Sequence, residues 1–225
     1  MHPRRWTCPI TALHGCPPGE ETSTMLDARL RPLIDPPLNR VGHALAGRGI
    51  TANLLTALGL LIGLAGAVAI AGGHVGWGLA LIVANRLMDG LDGAVARACG
   101  PTDIGGYFDI VADFAFYVAV PVGFGFMAPE HARPALVLVA SFVLTGASFL
   151  AFAIIAAKRQ LETRAHGRKS FFYSTGLAEG TETIVVFIMM CLAPAWFGVI
   201  AYAYALLCVL TVVQRTVLAA TRFGD

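Results

Sequence analysis

The sequence predicts an all-α integral membrane protein: six transmembrane helices preceded by an N-terminal amphipathic helix in the membrane interface. Three observations carry this prediction. Of 225 residues, 56% are hydrophobic and only 13% charged, whereas a soluble domain carries about 25% charged residues. The apolar residues gather into six runs, each of about 20 residues, the length that crosses a bilayer core as helix. The basic residues between those runs lie almost entirely on alternate sides, the asymmetry that orients membrane helices.

Each element follows in chain order. Residues 1–24 hold Arg4 and Arg5, but cysteines, prolines and Glu20-Glu21 follow instead of an apolar run. They read as a disordered tail and not as a signal peptide, and Met25 offers a second start site. The membrane domain spans residues 25–225. Its first segment, Met25–Gly47, interleaves Leu26, Leu30, Leu33, Leu38, Val41 and Leu45 with Asp27, Arg29, Arg31, Asp35, Arg40 and His43. Such a segment lies in the headgroup region with its basic face toward anionic lipid. Pro32, Pro36 and Pro37 are expected to kink or break it.

The six spans are placed at Asn53–Gly72, Trp77–Ala98, Ile104–Met127, Pro134–Ala157, Tyr173–Ala193 and Trp196–Ala220. With the N-terminus cytoplasmic, the inner segments hold Arg29, Arg31, Arg40, Arg48, Arg97, Lys158, Arg159, Arg164, Arg168, Lys169 and Arg222. The outer loops Gly73–Gly76, Pro129–Arg133 and Pro194–Ala195 hold only Arg133. Both termini are therefore expected in the cytoplasm of an inner-membrane protein. Trp77, Trp196 and Phe197 are expected at the outer interface, where aromatic belts form. Lys158–Lys169 reads as one long polar connection on the inner side.

Two function classes are disfavoured at once. No basic surface is present for a nucleic-acid partner. The five cysteines, Cys8, Cys16, Cys99, Cys191 and Cys208, form no CxxC pair and no metal spacing with histidine, so they are expected as packed thiols without a disulfide.

The chemistry concentrates in the second and third spans. There the chain reads Asn85-Arg86-Leu87-Met88-Asp89-Gly90-Leu91-Asp92-Gly93-Ala94-Val95-Ala96-Arg97, and then Gly105-Gly106-Tyr107-Phe108-Asp109-Ile110-Val111-Ala112-Asp113. Each Asp at a membrane-helix centre costs about 2.5–3.5 kcal/mol, and such residues mark function or pairing. Asp89 and Asp92 are i and i+3, and Asp109 and Asp113 are i and i+4, so each pair shares a helical face. The short connection makes the two helices antiparallel, which brings the four carboxylates together near the cytoplasmic side.

Four like charges in a low-dielectric site repel unless protons or cations offset them. Arg86 and Arg97 offset part of the charge. A hard divalent ion with oxygen ligands, magnesium or manganese, fits the rest. Zinc does not fit, because no His or Cys stands at ligand spacing. Gly90, Gly93, Ala94, Ala96, Gly105 and Gly106 are open to two roles: room beside the carboxylates for a phosphate or base, or close helix packing.

These residues resemble the CDP-alcohol phosphotransferase family, whose signature is D-x2-D-G-x2-A-R, seven or eight residues, then G-x3-D-x3-D. Asp89, Asp92, Gly93, Ala96, Arg97, Gly105, Asp109 and Asp113 match every fixed position, with the seven-residue spacer. The resemblance covers about Met25–Ala220. It implies a phosphotransferase of phospholipid biosynthesis that moves a phosphatidyl group from CDP-diacylglycerol to a small alcohol and releases CMP. It further implies Asp89, Asp92, Asp109 and Asp113 as ligands of Mg2+ or Mn2+, two ions together, with Asp113 also the general base. Asp92, Gly93, Ala96, Arg97 and Gly105 are implied at the nucleotide, and a homodimer is implied. The family's Thr-Pro-Asn before the first span is Thr51-Ala52-Asn53 here.

The acceptor alcohol is less defined, with a polyol or polyol phosphate favoured. Arg86 and Lys169 are candidates for a phosphate on it. Glu179 and Glu182, i and i+3 in the fifth span, are open to acceptor recognition, an ion pair with Arg86 or Arg215, or a share in the metal site. A divalent-cation transporter or channel is the alternative function, since intramembrane carboxylates also line ion paths. That alternative leaves the Gly, Ala and Arg positions of the motif without a purpose.

Overall fold

A computed structural model describes residues 25–165 and 180–223. The expected tail, together with Glu179 and Lys169, lies outside the described residues. The described elements are helical: α1 (Met25–Gly47), α2 (Ala52–Ala71), α3 (Val75–Cys99), α4 (Asp103–Met127), α5 (Ala132–Ala165), α6 (Gly180–Leu192) and α7 (Phe197–Phe223). Short 3-10 turns at Pro129–His131 and Pro194–Trp196 precede α5 and α7.

Among the described residues, four helical stretches are long and apolar enough to cross a membrane: Ala52–Ala71, Asp103–Met127, Pro129–Arg159 and Pro194–Phe223. Their outward faces are apolar, as lipid contact requires: Val68 is 72% exposed and Phe126 79%. Although α3 is 25 residues long, Arg86, Asp89, Asp92 and Arg97 interrupt its apolar run. The described part of α6 has 13 residues, less than a bilayer core needs as helix.

The ends of the helices follow local chemistry. Gly49 and Gly73 adopt φ of 79° and 81° just beyond α1 and α2, a left-handed conformation that costs glycine little. Their neighbours close the helices in a paired pattern, with Ile50 N–H donating to the Leu45 carbonyl and His74 N–H to that of Ala69. Thr51 caps the start of α2, its Oγ1 accepting from Leu54 N–H at 3.3 Å.

Two expectations are corrected. The helical run of α1 passes through Pro32, Pro36 and Pro37 without a break. Pro36 and Pro37 are exposed, where backbone left without a partner can be hydrated instead of stranded in a core. The second correction concerns α5, which continues to Ala165 through residues assigned to a connection. Hydropathy marks where the membrane environment ends, whereas Lys158, Arg159, Gln160, Leu161 and Glu162 are all good helix formers.

The chain divides into two compact units. The first comprises α1, α2 as far as Gly66, and Leu79–Phe116. Ala46, Leu55 and Val95 form a small core in it, with Met88 and Leu91 packed against them. Here α1 lies hard against α3: a Cβ added at Gly42 would sit 2.6 Å from Ala94 Cβ and 2.9 Å from the Ala94 carbonyl carbon. Leu38 covers Gly90 in the same contact. Gly90 and Ala94 are therefore helix-packing positions against α1.

The second unit comprises Ala67–Gly78 and the chain from Tyr117 onward. In it α7 packs along α5 and against α6. Phe124 stacks on Phe197 with centroids 4.6 Å apart, and His131 lies 4.8 Å from the same ring. Trp77 and Trp196 are exposed, but Phe197 is fully buried. Phe197 anchors the interior of this unit, where a stacked partner buries it.

Candidate metal centre

The site lies entirely within the first unit. On α3, Asp89 and Asp92 project from one face, as i,i+3 spacing requires, and α4 contributes Asp109. Carboxylate oxygens of these three residues lie within 4.8 Å of one another. Asp92 is buried, while Asp89 is partly open. They line an open cleft together with Thr56, Gly59, Leu60, Asn85, Arg86, Ala112 and Asp113.

Asp113 lines the same cleft beside this trio. Its Oδ1 accepts from Arg86 Nη2 at 3.0 Å, while Arg86 Nη1 is 3.5 Å from Asp89 Oδ2. Arg86 thus supplies the cation that sequence spacing assigned to it. Arg97 does not join the carboxylates. Its Nη2 donates to Asn39 Oδ1 of α1 at 3.0 Å, because it lies more than a turn beyond Asp92 along α3.

Three neighbours escaped the sequence reading. The Thr56 hydroxyl lies 2.6 Å from Asp92 Oδ2 and 3.1 Å from the Ala52 carbonyl, and orients the carboxylate from α2. Asn85 is 3% exposed; its Nδ2 donates to the Gly59 carbonyl at 2.7 Å and its Oδ1 accepts from Arg86 Nε at 2.8 Å. The Phe116 ring lies 4.7 Å beneath the Arg86 guanidinium. A polar residue at each of positions 56 and 85, inside otherwise apolar helices, was the signal available; only the fold shows what each one holds.

The glycines of the motif differ in surroundings. A Cβ at Gly93 would meet only Arg97 Nη1, at 3.3 Å. A Cβ at Gly105 would press on Thr102 Oγ1 at 2.9 Å and approach Asn53 Oδ1 at 3.2 Å. Thr102 Oγ1 accepts from Gly105 N–H at 3.1 Å and so caps α4. The Thr51-Ala52-Asn53 turn therefore keeps its place beside the start of α4, with Ala52 where the family has proline. Proline there pre-sets the first helical residue, and the Thr51 cap does that work here. Glu182 lies in the second unit, and its Oε2 is enclosed with no hydrogen-bond partner among the described residues.

A divalent ion fits the trio. Three oxygens converge from two helices, all are hard ligands, and the single arginine beside them, shared between Asp89 and Asp113, offsets only part of their negative charge. Imidazole and thiolate ligands are lacking among the described residues of the cluster, which keeps the preference with Mg2+ or Mn2+ over zinc.

Apolar helices around a cluster of three carboxylates define a membrane protein with an acidic site suited to a divalent cation. More narrowly, the chain belongs to the CDP-alcohol phosphatidyltransferase family, a group of phospholipid-synthesis transferases whose family model matches residues 49–223. It is 46% identical over 195 residues to the inner membrane protein YnjF of Escherichia coli, covering 85% of this chain and 93% of that one. It is 39% identical over 88 residues to the archaetidylinositol phosphate synthase of Pyrococcus horikoshii, covering 38% of this chain and 46% of that protein. Among solved structures, it is similar to the Mycobacterium tuberculosis phosphatidylinositol phosphate synthase PgsA1. The form with CDP-DAG bound has a TM-score of 0.62 at 24% identity, covering 82% of this chain and 94% of that one. The form in complex with manganese and citrate has a TM-score of 0.59 at 25% identity, covering 80% and 87%.

Proposed function

We propose that this protein transfers a phosphatidyl group from CDP-diacylglycerol to a small alcohol and releases CMP. The observation that carries the reading is the convergence of Asp89, Asp92 and Asp109 within 4.8 Å, on the family's motif, with Asp113 on the same cleft. Asp89, Asp92 and Asp109 would hold Mg2+ or Mn2+, and Asp113 would complete a second ion's site. The bound ions supply charge neutralisation on the diphosphate and on the leaving phosphate.

The chain's own residues supply position and proton transfer. Asp113 accepts the acceptor hydroxyl's proton through its carboxylate. The acceptor oxygen forms a bond to the lipid-proximal phosphorus, the bond from that phosphorus to the bridging diphosphate oxygen breaks, and CMP departs with the electron pair. Gly93, Ala96 and Gly105 keep space for the nucleotide, Asp92 faces it, and Arg97 steadies that region from its anchor on Asn39. Thr56 holds Asp92, so the ligand set is pre-organised by a second helix.

A polyol or polyol phosphate is the acceptor class this reading favours, supported by the inositol phosphate named for two of the relatives. Arg86, Lys169, Glu179 and Glu182 are the candidates to recognise it. In this reading α3 and α6 complete six spans with α2, α4, α5 and α7. Helix α1 lies in the interface, both termini and the cleft face the cytoplasm, and the protein works as a homodimer in the inner membrane. The inner-membrane relative and the skewed basic residues support that placement.

The test is CMP release from CDP-diacylglycerol with Mg2+ or Mn2+, across glycerol 3-phosphate, inositol, inositol phosphate, serine, glycerol, ethanolamine and choline. Acceptor-dependent release, abolished by chelator and by Asp113→Asn, is expected. Folded protein that releases no CMP with any acceptor would overturn the donor assignment.

A further inference from the structure

The arginine at the edge of the trio is held far more firmly than its chemistry with carboxylates alone requires. Its Nε is fixed by Asn85 Oδ1 at 2.8 Å, and Asn85 is itself buried and anchored to the Gly59 carbonyl of α2 at 2.7 Å. Its guanidinium rests on Phe116 of α4, and its Nη2 engages Asp113 Oδ1 at 3.0 Å. Its Nη1 stands 3.5 Å from Asp89 Oδ2 as well, so residues from α2, α3 and α4 hold one cation against Asp113 and, at longer range, against Asp89. A long side chain normally loses considerable rotamer freedom when it is fixed; here that ordering is built in before any ligand arrives. The consequence is a division of the four motif aspartates. Three converge on the cleft, and the fourth makes the shorter of the guanidinium's two carboxylate contacts.

We infer that Arg86 is a positioning residue that holds Asp113 out of the trio and so sets the order in which the carboxylates take up cations. Asp89, Asp92 and Asp109 form the tight locus. Asp113 becomes a ligand only in competition with the guanidinium, and a divalent ion there also feels the repulsion of the fixed charge beside it. The two loci differ in affinity because of Arg86, and the weak one fills last. This rests on the metal reading above and adds a residue outside the family's motif to the machinery.

The experiment is a Mn2+ titration of the detergent-solubilised full chain, without nucleotide, followed by electron paramagnetic resonance. The wild type is expected to show two binding classes. In Arg86→Gln the weak class should tighten by about tenfold, the scale of losing one fixed charge at close range in a partly open site, while the tight class moves less. Arg86→Lys keeps the charge but cannot span Asn85 and Asp113 together, so its weak class should tighten by a smaller factor. A weak class that is unchanged or weaker in Arg86→Gln, in protein that still melts cooperatively, overturns the inference and leaves the metal reading intact. If Arg86→Gln does not fold, Arg86→Lys decides alone, and an unchanged weak class overturns the inference. A wild type with no saturable Mn2+ binding overturns both.

Discussion

The two units use buried polar groups in opposite ways. In the second unit, hydroxyls turn back onto their own helices: Thr145 Oγ1 donates to the Ser141 carbonyl at 2.9 Å and Ser148 Oγ to that of Thr145 at 2.8 Å. Arg215, 4% exposed, reaches across from α7 to the Thr145 carbonyl at 3.1 Å and to Ser148 Oγ at 3.3 Å. Thr183 and Tyr204 bond each other at 2.8 Å between α6 and α7. Those groups satisfy one another and fasten helices, the ordinary use of polar residues in lipid. In the first unit, Asp89, Asp92 and Asp109 are aimed at common space, and the polar neighbours around them serve to hold that aim. Hydroxyls fasten helices in the one unit, and carboxylates share a cleft in the other.

Substitutions in the two units sharpen or break that contrast. The largest effect is expected from Asp92→Ala, which should lower CMP release by about 10³-fold, the scale of removing a preorganised electrostatic group, and abolish the tight Mn2+ class. Wild-type release from this variant would show that the trio is not the working centre. Next comes Gly123→Ala in the second unit, where an added Cβ would lie 2.5 Å from the Ala67 carbonyl oxygen. Overpacking of this kind costs about 1–3 kcal/mol. Unfolding should shift by that much with Mn2+ affinity unchanged, and a changed affinity would break the separation of scaffold from site.

Thr56→Val removes the 2.6 Å hydrogen bond to Asp92 and nearly preserves volume. It should weaken Mn2+ binding by about tenfold, at the lower end of the range for groups that orient metal ligands, and isothermal titration would register it. The smallest effect is expected at Gly76→Ala, where a Cβ meets nothing within 4 Å. Stability should stay within about 1 kcal/mol of wild type, on the side of helix propensity, as thermal melting would show.

Much of this was legible before the fold. Spans could be read because lipid demands long apolar runs, and the starts of α2 to α5 fall within two residues of expectation. The aspartates could be read because their cost in a membrane helix excludes idle retention. Three features could not be read, each for a tertiary reason. Thr56 and Asn85 gain meaning only from the atoms opposite them. Gly90 and Ala94 fit two roles in the sequence, ligand space or helix packing, and only α1 packed on that face selects the second. The division of Asp113 from the trio depends on a guanidinium whose direction is set by three helices, and spacing along one helix carries no such information.

The charged character of α3 has a consequence for how the protein is made. A helix bearing Arg86, Asp89, Asp92 and Arg97 meets about 2.5–3.5 kcal/mol of insertion cost for each such residue near the bilayer centre. Alone, it would prefer water to lipid. Its partners arrive at different times: Thr56 is synthesised before it, but Asp113, which Arg86 needs, emerges from the ribosome only after α3 is complete. In the proposed six-span arrangement, stable insertion of this segment would therefore wait for α4 and be cooperative with its neighbours.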